Sequence, residues 1–364
     1  MSYNIFSILL LLATAGLSDT PEPAPAEPAS TMIIGMRTGA THLVDSPPLR
    51  PVSIARWFEL EAAAVGSRYR FIEDLGGRTL TNQIQYQQAF KGRFKLDEHG
   101  RFSLHGGAYS GGGLTGGWNS SGLGTGRAEG HFFLKQLYFS AQPLAGLEIQ
   151  YGGLEVAHGE STEITGYDYD VYITGERLRL MRPKQLWFDE ITATYAYFGD
   201  PETPGVIGRF HRLNEVNYRH FLVGKRIGRV RSSADYTRES GVVTLRQAVR
   251  VETRQPRLVD RLHFETYQRL GAAPGYGFAV YGEKALHRNF SLGCGYAQID
   301  RNGLNSDRFP RGHRPYFTAH LALSPAFSAS SFLSRAIDRE GSPPRIRFEL
   351  AFHYNLLHDL RRAF

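Results

Sequence analysis

The stretch Arg345 to Leu356, RIRFELAFHYNL, decides the fold class because apolar and polar residues alternate along it. Apolar side chains occupy the even positions, which are Ile346, Phe348, Leu350, Phe352, Tyr354 and Leu356. Polar side chains occupy most odd positions, among them Arg347, Glu349, His353 and Asn355. Successive side chains of a β-strand point to opposite faces. We therefore predict a strand with one apolar face and one polar face.

The composition of the 364-residue chain favours an all-β protein. Its 40 glycines, 19 tyrosines and 23 phenylalanines suit glycine-punctuated, aromatic-rich strands. No stretch approaches the roughly 20 consecutive apolar residues that a transmembrane helix needs. A single cysteine, Cys294, excludes an internal disulfide and a cysteine-cluster metal site. The formal net charge of +7 is spread along the chain, which argues against a nucleic-acid partner.

The N-terminal residues predict export. Phe6 to Leu12 is a short apolar run, and Ala13-Thr14-Ala15 after it fits a signal-peptidase site. We assign residues 1–18 to a Sec signal peptide. The tract Asp19 to Ser30 is rich in proline, alanine and glutamate and cannot bury a core. Residues 19–56 are therefore expected to form a periplasmic lead and N-terminal segment, and residues 57–364 the folded domain.

From Trp57 onward the chain predicts a meander of long strands. Thr81 to Leu96 alternates apolar residues with Gln, Lys and Arg, over more than the roughly 9 to 11 residues that a membrane-crossing strand needs. Short turns such as Asp97 to Gly100 are separated by longer connections, at 111–130, 155–170, 199–208, 271–275 and 301–314. This pattern is typical of a closed antiparallel transmembrane β-barrel with tight periplasmic turns.

Placing both chain ends in the periplasm gives a barrel of about sixteen strands. The count needs a first strand before Thr81 and a strand from Phe327 to Ile337. Ser328 to Ile337 also fits helical spacing, so a count of roughly fourteen to eighteen stays open. The alternative fold is a soluble β-sandwich whose polar faces meet solvent.

Arginines recur on the polar face of the middle strands. If the apolar positions face lipid, the alternate positions line the lumen, and these carry Arg177, Arg179, Arg219, Arg229, Arg231, Arg246, Arg250, Arg261 and Arg269. Fewer acids share that register, namely Glu215, Asp235, Glu252 and Glu265. Burying so much charge in a dry core would cost too much free energy. A barrel of about sixteen strands is wide enough for an aqueous channel, so we predict a water-filled pore.

The third long connection is acidic. It carries Glu155, Glu160, Glu163, Asp168 and Asp170, with His158 as its one potentially basic residue. Here the chain resembles the general porins, whose third loop folds into the barrel and sets acids against a basic wall. The resemblance implies a constriction with a transverse field, which filters solutes by size and charge. A solvated loop, or a divalent-ion contact to lipopolysaccharide, would also be acidic.

The last residue, Phe364, follows the deciding strand closely and resembles the signal that outer-membrane barrels present to their assembly machinery. The resemblance implies a location in the bacterial outer membrane of a Gram-negative cell. Its implied partners are membrane lipid and lipopolysaccharide, the assembly machinery through Phe364, and small solutes. General porins are often trimers, so a homotrimer fits the resemblance, although no stretch of the sequence marks an interface.

The motifs of hydrolases, such as G-x-S-x-G and H-E-x-x-H, do not occur in the sequence. We expect no enzyme, cofactor or metal site. The expected function is passive diffusion of small hydrophilic, mainly anionic, solutes through a porin-like channel. Two alternatives stay open. One is a selective channel or exporter for an acidic polysaccharide, which a remote resemblance to arginine-lined alginate-export barrels suggests. The other is a non-conducting receptor or adhesin barrel that uses Gly111 to Gly130.

Overall fold

A computed structural model describes residues 51–364, except 115, 165–170, 182–186, 200–202, 254–257, 301, 303–308, 338–344 and 364. The predicted signal peptide and most of the proline-rich lead lie outside the described residues. Of the segment 19–56, the structure describes only 51–56, and these residues include a short strand.

In the part of the chain that the structure describes, eighteen antiparallel strands form one sheet. The first nine are β1 (Val52–Ala55), β2 (Phe58–Glu73), β3 (Thr79–Lys95), β4 (Phe102–Ser110), β5 (Asn119–Gly124), β6 (Phe132–Leu144), β7 (Leu147–Glu155), β8 (Tyr172–Met181) and β9 (Glu190–Tyr197). The others are β10 (Tyr218–Ile227), β11 (Val230–Glu239), β12 (Val242–Glu252), β13 (Arg261–Leu270), β14 (Gly275–His287), β15 (Phe290–Ile299), β16 (Gly312–Ala322), β17 (Phe327–Arg335) and β18 (Ile346–Asn355).

Sixteen of these strands close into a ring. Neighbours in the ring follow chain order, and β18 returns to β2, with Ile346 opposite Glu73 and Asn355 opposite Ala64. The two short strands are additions to the ring, since β1 pairs with the start of β2 and β5 pairs with β3 beyond the end of β4. The predicted closed antiparallel barrel of about sixteen strands is confirmed.

The connections separate into two ends of the barrel. Residues 96–101, 145–146, 228–229, 288–289 and 323–326 are among those at the short-turn end, where the described chain also begins. Residues 111–131, 156–171, 198–217 and 300–311 are at the long-loop end. One connection there departs from the expected alternation. Ser240 and Gly241 join β11 to β12 with φ of 46° and 88°, which suits a two-residue hairpin turn with both residues left-handed.

The stretch that decides the fold forms β18 over Ile346–Asn355. Arg347, Glu349 and Ala351 are buried and Phe352 is exposed, as the alternation predicts. Leu356 differs, because it begins a helix, Leu356–Ala363. That helix lies between the last strand and residue 364 in the sequence. Phe364 itself is outside the described residues.

The alternative of a helical turn at Ser328 to Ile337 is excluded, since Phe327–Arg335 is strand β17. A short helix, Val206–Arg209, followed by a 3₁₀ turn, Phe210–Arg212, lies in the connection between β9 and β10. Among the described residues, no helix has the length and apolar character needed to cross a membrane.

Large apolar side chains cover the outside of the ring. They include Ile84, Phe90, Phe94, Leu104, Phe139, Leu178, Phe221, Leu262, Phe264, Val280, Leu292, Phe317, Leu333 and Phe352, each more than a third exposed. So much exposed apolar surface on every side marks an interaction with an apolar surrounding. Because the closed ring satisfies its backbone hydrogen bonds internally, hydrocarbon can provide that surrounding.

Gly152 in β7 generates a stability prediction. Its φ is +134°, and an added Cβ would lie 2.5 Å from the carbonyl oxygen of Leu137 on β6. Gly152→Ala should destabilise the barrel by about 1–3 kcal/mol, the usual range for a residue held in a forbidden backbone region. The measurement is the temperature at which the folded form unfolds on heating in detergent, followed by its gel mobility.

The matched control is Gly130→Ala, because an added Cβ at Gly130 meets nothing within 4 Å. Replacement there should leave the unfolding temperature unchanged or slightly raised. Equal unfolding temperatures for the two variants would contradict the strain at Gly152.

Candidate functional site

Polar side chains of the ring strands project into the barrel lumen. On β8, Arg177 is buried, Leu178 is 48% exposed and Arg179 is half-buried, so the arginines share the inner face. The same alternation applies along β11, β12 and β13. It places inward the predicted pore-lining residues Arg177, Arg179, Arg231, Arg246, Arg250, Arg261 and Arg269.

Arg219 and Arg229 lie elsewhere. Arg219 shares the exposed face of β10 with Phe221, while Tyr218, His220 and Leu222 are buried on the other face. The prediction placed Arg219 inward because it assumed that the apolar residues of β10 face lipid. In the structure, apolar residues of β10 point inward, and a shift of one residue exchanges the two faces of a strand. Arg229 is exposed in the turn between β10 and β11, where it donates to the carbonyl of Thr253 at 3.0 Å.

Several inward arginines of the middle strands are paired with carboxylates. Arg246 Nε lies 2.8 Å from Asp235 Oδ1. The corresponding distances are 2.9 Å from Arg179 Nε to Glu190 and 3.2 Å from Arg261 Nη1 to Glu283. The surplus of unopposed positive charge expected from the sequence is therefore largely compensated. Glu190 and Glu283 were missed because cross-strand register, which brings them beside arginines, is not visible in a single strand.

A basic cluster on β2 and β18 was also missed as part of the lumen. Arg70 Nε and Arg347 Nη2 lie 3.2 and 2.8 Å from Glu349, and Arg68 Nη1 lies 3.8 Å from it. All four side chains lie on the inner face near the seam that closes the ring. The alternation that predicted β18 contained the signal, since it places Arg347 and Glu349 on the polar face.

Basic residues of β3 form a further part of the wall. Lys91, Arg93 and Lys95 alternate with outward apolar residues. Glu59 of β2 accepts from Arg93 Nη2 at 2.5 Å and also pairs with Lys95. Lys91 is buried and lies 4.0 Å from Glu155, at the start of the third loop. The alternation in the sequence places these basic residues on the polar face of β3, but the predicted pore-lining residues came only from the middle strands.

The described residues of the third loop, 156–164 and 171, fold into the lumen. At its base, the N–H of Val156 donates to the carbonyl of Val171 at 3.0 Å. Farther along, the N–H of Glu160 donates to Ser233 Oγ of β11 at 2.7 Å. Ile164 is fully buried in a cluster with Tyr267 of β13 and aromatic residues of later strands. The loop thus leaves the wall at β7 and contacts it again at β11 and β13.

Glu265 of β13 holds this loop in place. Its Oε1 accepts the N–H of Thr162 at 2.5 Å and of Glu163 at 2.8 Å. Its Oε2 accepts the N–H of Ile164 at 3.0 Å. The carboxyl group is fully buried, and without it these backbone donors would lose their partners, which costs roughly 1–3 kcal/mol for each buried group. Glu265, predicted as one of the few lumen acids, is therefore a wall residue that binds the backbone of the third loop.

Two other long connections also pack inward. Lys135 Nζ donates to the carbonyls of Gly113 and Gly116, both at 2.9 Å, which draws the connection 111–131 against β6. Arg209, from the short helix between β9 and β10, donates to the carbonyl of Lys135 at 2.6 Å. Val206 of that helix is fully buried. These contacts narrow the long-loop end of the lumen.

Buried histidines lie beside carboxylates in the lumen. His105 Nδ1 lies 3.2 Å from Glu61, and His263 Nε2 lies 3.2 Å from Glu265. In the described part of the chain, no group of three or more His, Cys, Asp or Glu side chains is arranged to hold a metal ion.

The sequence matches no protein-family model and no curated protein. Solved porin structures do match the barrel. The OmpF of Salmonella typhi, solved with daunomycin, has a TM-score of 0.57 and 11% identity over 84% of this chain and 100% of that chain. A triple mutant of the Rh. blastica porin has a TM-score of 0.51 and 10% identity over 82% of this chain and 99% of that chain. This protein has the porin fold.

Within its porin fold, the third loop brings acids to the basic wall. Glu160 Oε2 lies 3.3 Å from Arg250 Nε of β12, and Glu155 faces Lys91 of β3. Glu163 is buried against the wall. Asp168 and Asp170, the remaining acids predicted for a constriction, are outside the described residues.

The charge of the described loop is negative. His158 is its one potentially basic residue, and burial, reinforced by the positive charge of Arg246, lowers the pKa of His158 to about 3. The imidazole is therefore neutral at physiological pH. Glu160 and Glu163 supply the formal charge on the described residues of the loop, and Glu155 adds a further negative charge at its base.

The contact between Glu265 and the third loop can be tested by Glu265→Gln. The amide retains one acceptor and presents an NH₂ group to backbone donors, so the loop should lose roughly 2 kcal/mol of attachment. Amide hydrogen exchange at 162–164 should accelerate, and single-channel current through the variant should become noisier.

The control is Glu190→Gln, which removes the same charge from a lumen carboxylate paired with Arg179 on the neighbouring strand. Exchange at 162–164 should stay as in the parent protein. If Glu265→Gln leaves that exchange unchanged, the carboxylate does not hold the loop.

Proposed function

We propose that the protein is an outer-membrane channel through which small hydrophilic solutes diffuse passively. One observation carries this proposal. An apolar outer surface surrounds a charged lumen, and the third loop crosses that lumen to Glu265. Hydrocarbon accepts a closed barrel from outside, while the ion pairs inside require water or partners. This arrangement supports a channel with an internal constriction.

The proposed orientation follows the connections. Tight turns belong to the periplasmic end of outer-membrane barrels and long loops to the outside. The described chain begins at the short-turn end, and the predicted export signal at 1–18 would deliver it to the periplasm. The loops that pack into the lumen would then narrow the pore from outside, where solutes enter.

The constriction would carry an electric field across the pore. Glu160 lies on the loop and Glu155 at its base, where β7 ends, while Lys91 and Arg250 lie on the wall. Opposed charges across a narrow aqueous passage orient dipolar solutes and filter them by charge. Because most inward arginines are paired with carboxylates, the proposed preference for anions is modest.

Arg177 is the best candidate for the residual preference. Its guanidinium donates to Thr194 Oγ1 at 3.1 Å, to Gln150 Oε1 at 3.2 Å and to the carbonyl of Glu155. These acceptors are neutral, so they orient the side chain without forming a salt bridge to it. Arg177 would thereby attract an anion that passes the base of the third loop.

A second candidate function is a barrel that does not conduct at rest. The inward packing of 111–131 on Lys135 favours it, since these contacts obstruct the long-loop end. Such a barrel would bind a ligand at its outer face and would fit the receptor or adhesin alternative.

Conductance of the refolded full-length protein in a planar bilayer tests the proposal. We expect discrete, stable current steps, and a salt gradient should give a reversal potential that indicates a weak preference for anions. A folded, heat-modifiable barrel that gives no steps would contradict the open channel and favour the non-conducting one.

Arg177→Gln tests the source of selectivity. A unit charge about 8 Å from a passing ion in water changes its energy by about 0.5 kcal/mol, which corresponds to a roughly twofold change in relative permeability. The reversal potential should shift towards cations by that factor, at unchanged folding.

Arg335→Gln is the control, because Arg335 is exposed at the end of β17 on the outward face. It should keep the parent's reversal potential. Equal potentials for the Arg177 and Arg335 variants would exclude Arg177 from the conducting path.

A further inference from the structure

Arg219 and Arg238 lie directly opposite each other on the outer face of the barrel. The antiparallel register of β10 and β11 pairs these two residues, and both side chains are exposed. Directly opposite residues have Cβ atoms about 5 Å apart. Like charges in that position repel and destabilise the strand pair. The sheet therefore keeps an unfavourable contact at this point of its surface.

No protein group compensates the two charges among the described residues. Neither guanidinium takes part in a hydrogen bond or an ion pair there. Along the same outward row, Tyr195 of β9 is opposite Arg219, and Glu176 of β8 lies beyond that tyrosine. Glu176 is the acidic residue of this row, and strand β9 lies between it and Arg219.

The pair marks the outer limit of the apolar surface. Arg219 is the second residue of β10 and Arg238 the last but one of β11, so both are at the long-loop end. One step further into the barrel wall, Phe221 is 46% exposed, and Tyr195 beside Arg219 is 48% exposed. Exposed tyrosines typically lie at the boundary between hydrocarbon and headgroups. The guanidinium groups are thus placed at headgroup level.

At the opposite end of the barrel, outward basic residues form ion pairs with acidic residues of the chain. Lys225 lies 3.4 Å from Asp189, and Lys284 lies 3.0 Å from Asp260, both at the short-turn end. There the chain supplies its own counter-charges. At the long-loop end it leaves the Arg219–Arg238 pair for an anion from outside the protein.

We propose that Arg219 and Arg238 together bind a phosphate group of an outer-leaflet glycolipid of the lipid A class. This inference rests on the outer-membrane orientation proposed above. Guanidinium groups present planar forks of donors that match phosphate oxygens. A phosphate between the two arginines would replace their repulsion by attraction to a shared anion, while the acyl chains would lie along the apolar wall below Phe221.

Binding of bisphosphorylated lipid A to the full-length protein in detergent micelles tests the assignment. Arg219→Gln/Arg238→Gln should weaken binding about tenfold or more, since each charge-assisted contact contributes on the order of 1.4 kcal/mol or above. Arg219→Lys/Arg238→Lys should retain an intermediate affinity, because the charge remains and the forks are lost. Arg335→Gln removes a lone outward arginine at the same end and should leave binding unchanged.

Two further ligands identify the source of the phosphate. Dephosphorylated lipid A should bind the parent protein as weakly as the phosphorylated lipid binds the double Gln variant. Inorganic phosphate at the same phosphate concentration should not displace the lipid. Equal binding of both lipids, or equal binding by parent and variant, would overturn the proposal. Displacement by inorganic phosphate would overturn the glycolipid assignment in favour of free phosphate.

Conductance separates this inference from the proposed channel. The double Gln variant should give the parent's current steps in a bilayer. If neither protein conducts and the lipid affinities still differ as expected, the channel fails and the lipid site stands. If both conduct alike and the lipid affinities are equal, the lipid site fails and the channel stands.

Discussion

The whole structure depends on the hydrogen bonds between β18 and β2. Their antiparallel pairing, from Ile346 opposite Glu73 to Asn355 opposite Ala64, joins the two ends of the ring. Without it, two strands would present unpaired backbone groups to hydrocarbon, and each unpaired group would cost several kcal/mol. Closure also turns the two faces of the sheet into an outside and an inside. One face can then be apolar and the other charged, because the ring separates lipid from lumen.

The lumen is organised by charge pairing across strands. Asp235 lies beside Arg246, Glu283 beside Arg261 and Glu349 beside several arginines. Removing one partner from such a buried pair costs more than the pair contributes. The same acids that pair with the arginines also weaken the net positive potential of the wall. The third loop uses this wall as an anchor, through the backbone donors that converge on Glu265.

Much of the fold could be predicted from the sequence, because strict alternation reports which face of a strand meets lipid. This held for β18 and for the inward side of β8, β12 and β13. It failed on β10, where Tyr218 and Leu222 are apolar yet point inward and Arg219 points out. The partners of the arginines could not be predicted, since pairing depends on register between strands. Hydrophobicity alone also did not separate Leu356 from the strand before it, although it begins the final helix.

The anchoring of the third loop has a consequence for how the barrel forms. Thr162 meets Glu265, which lies 103 residues further along the chain. Contacts between residues so distant in sequence pay their loop-closure entropy before they contribute any stability, and they form late. The loop therefore has no docking site until β13 has joined the sheet. An early assembly intermediate would have a wide, wet interior, and the passage would narrow to its final diameter only as the wall nears completion.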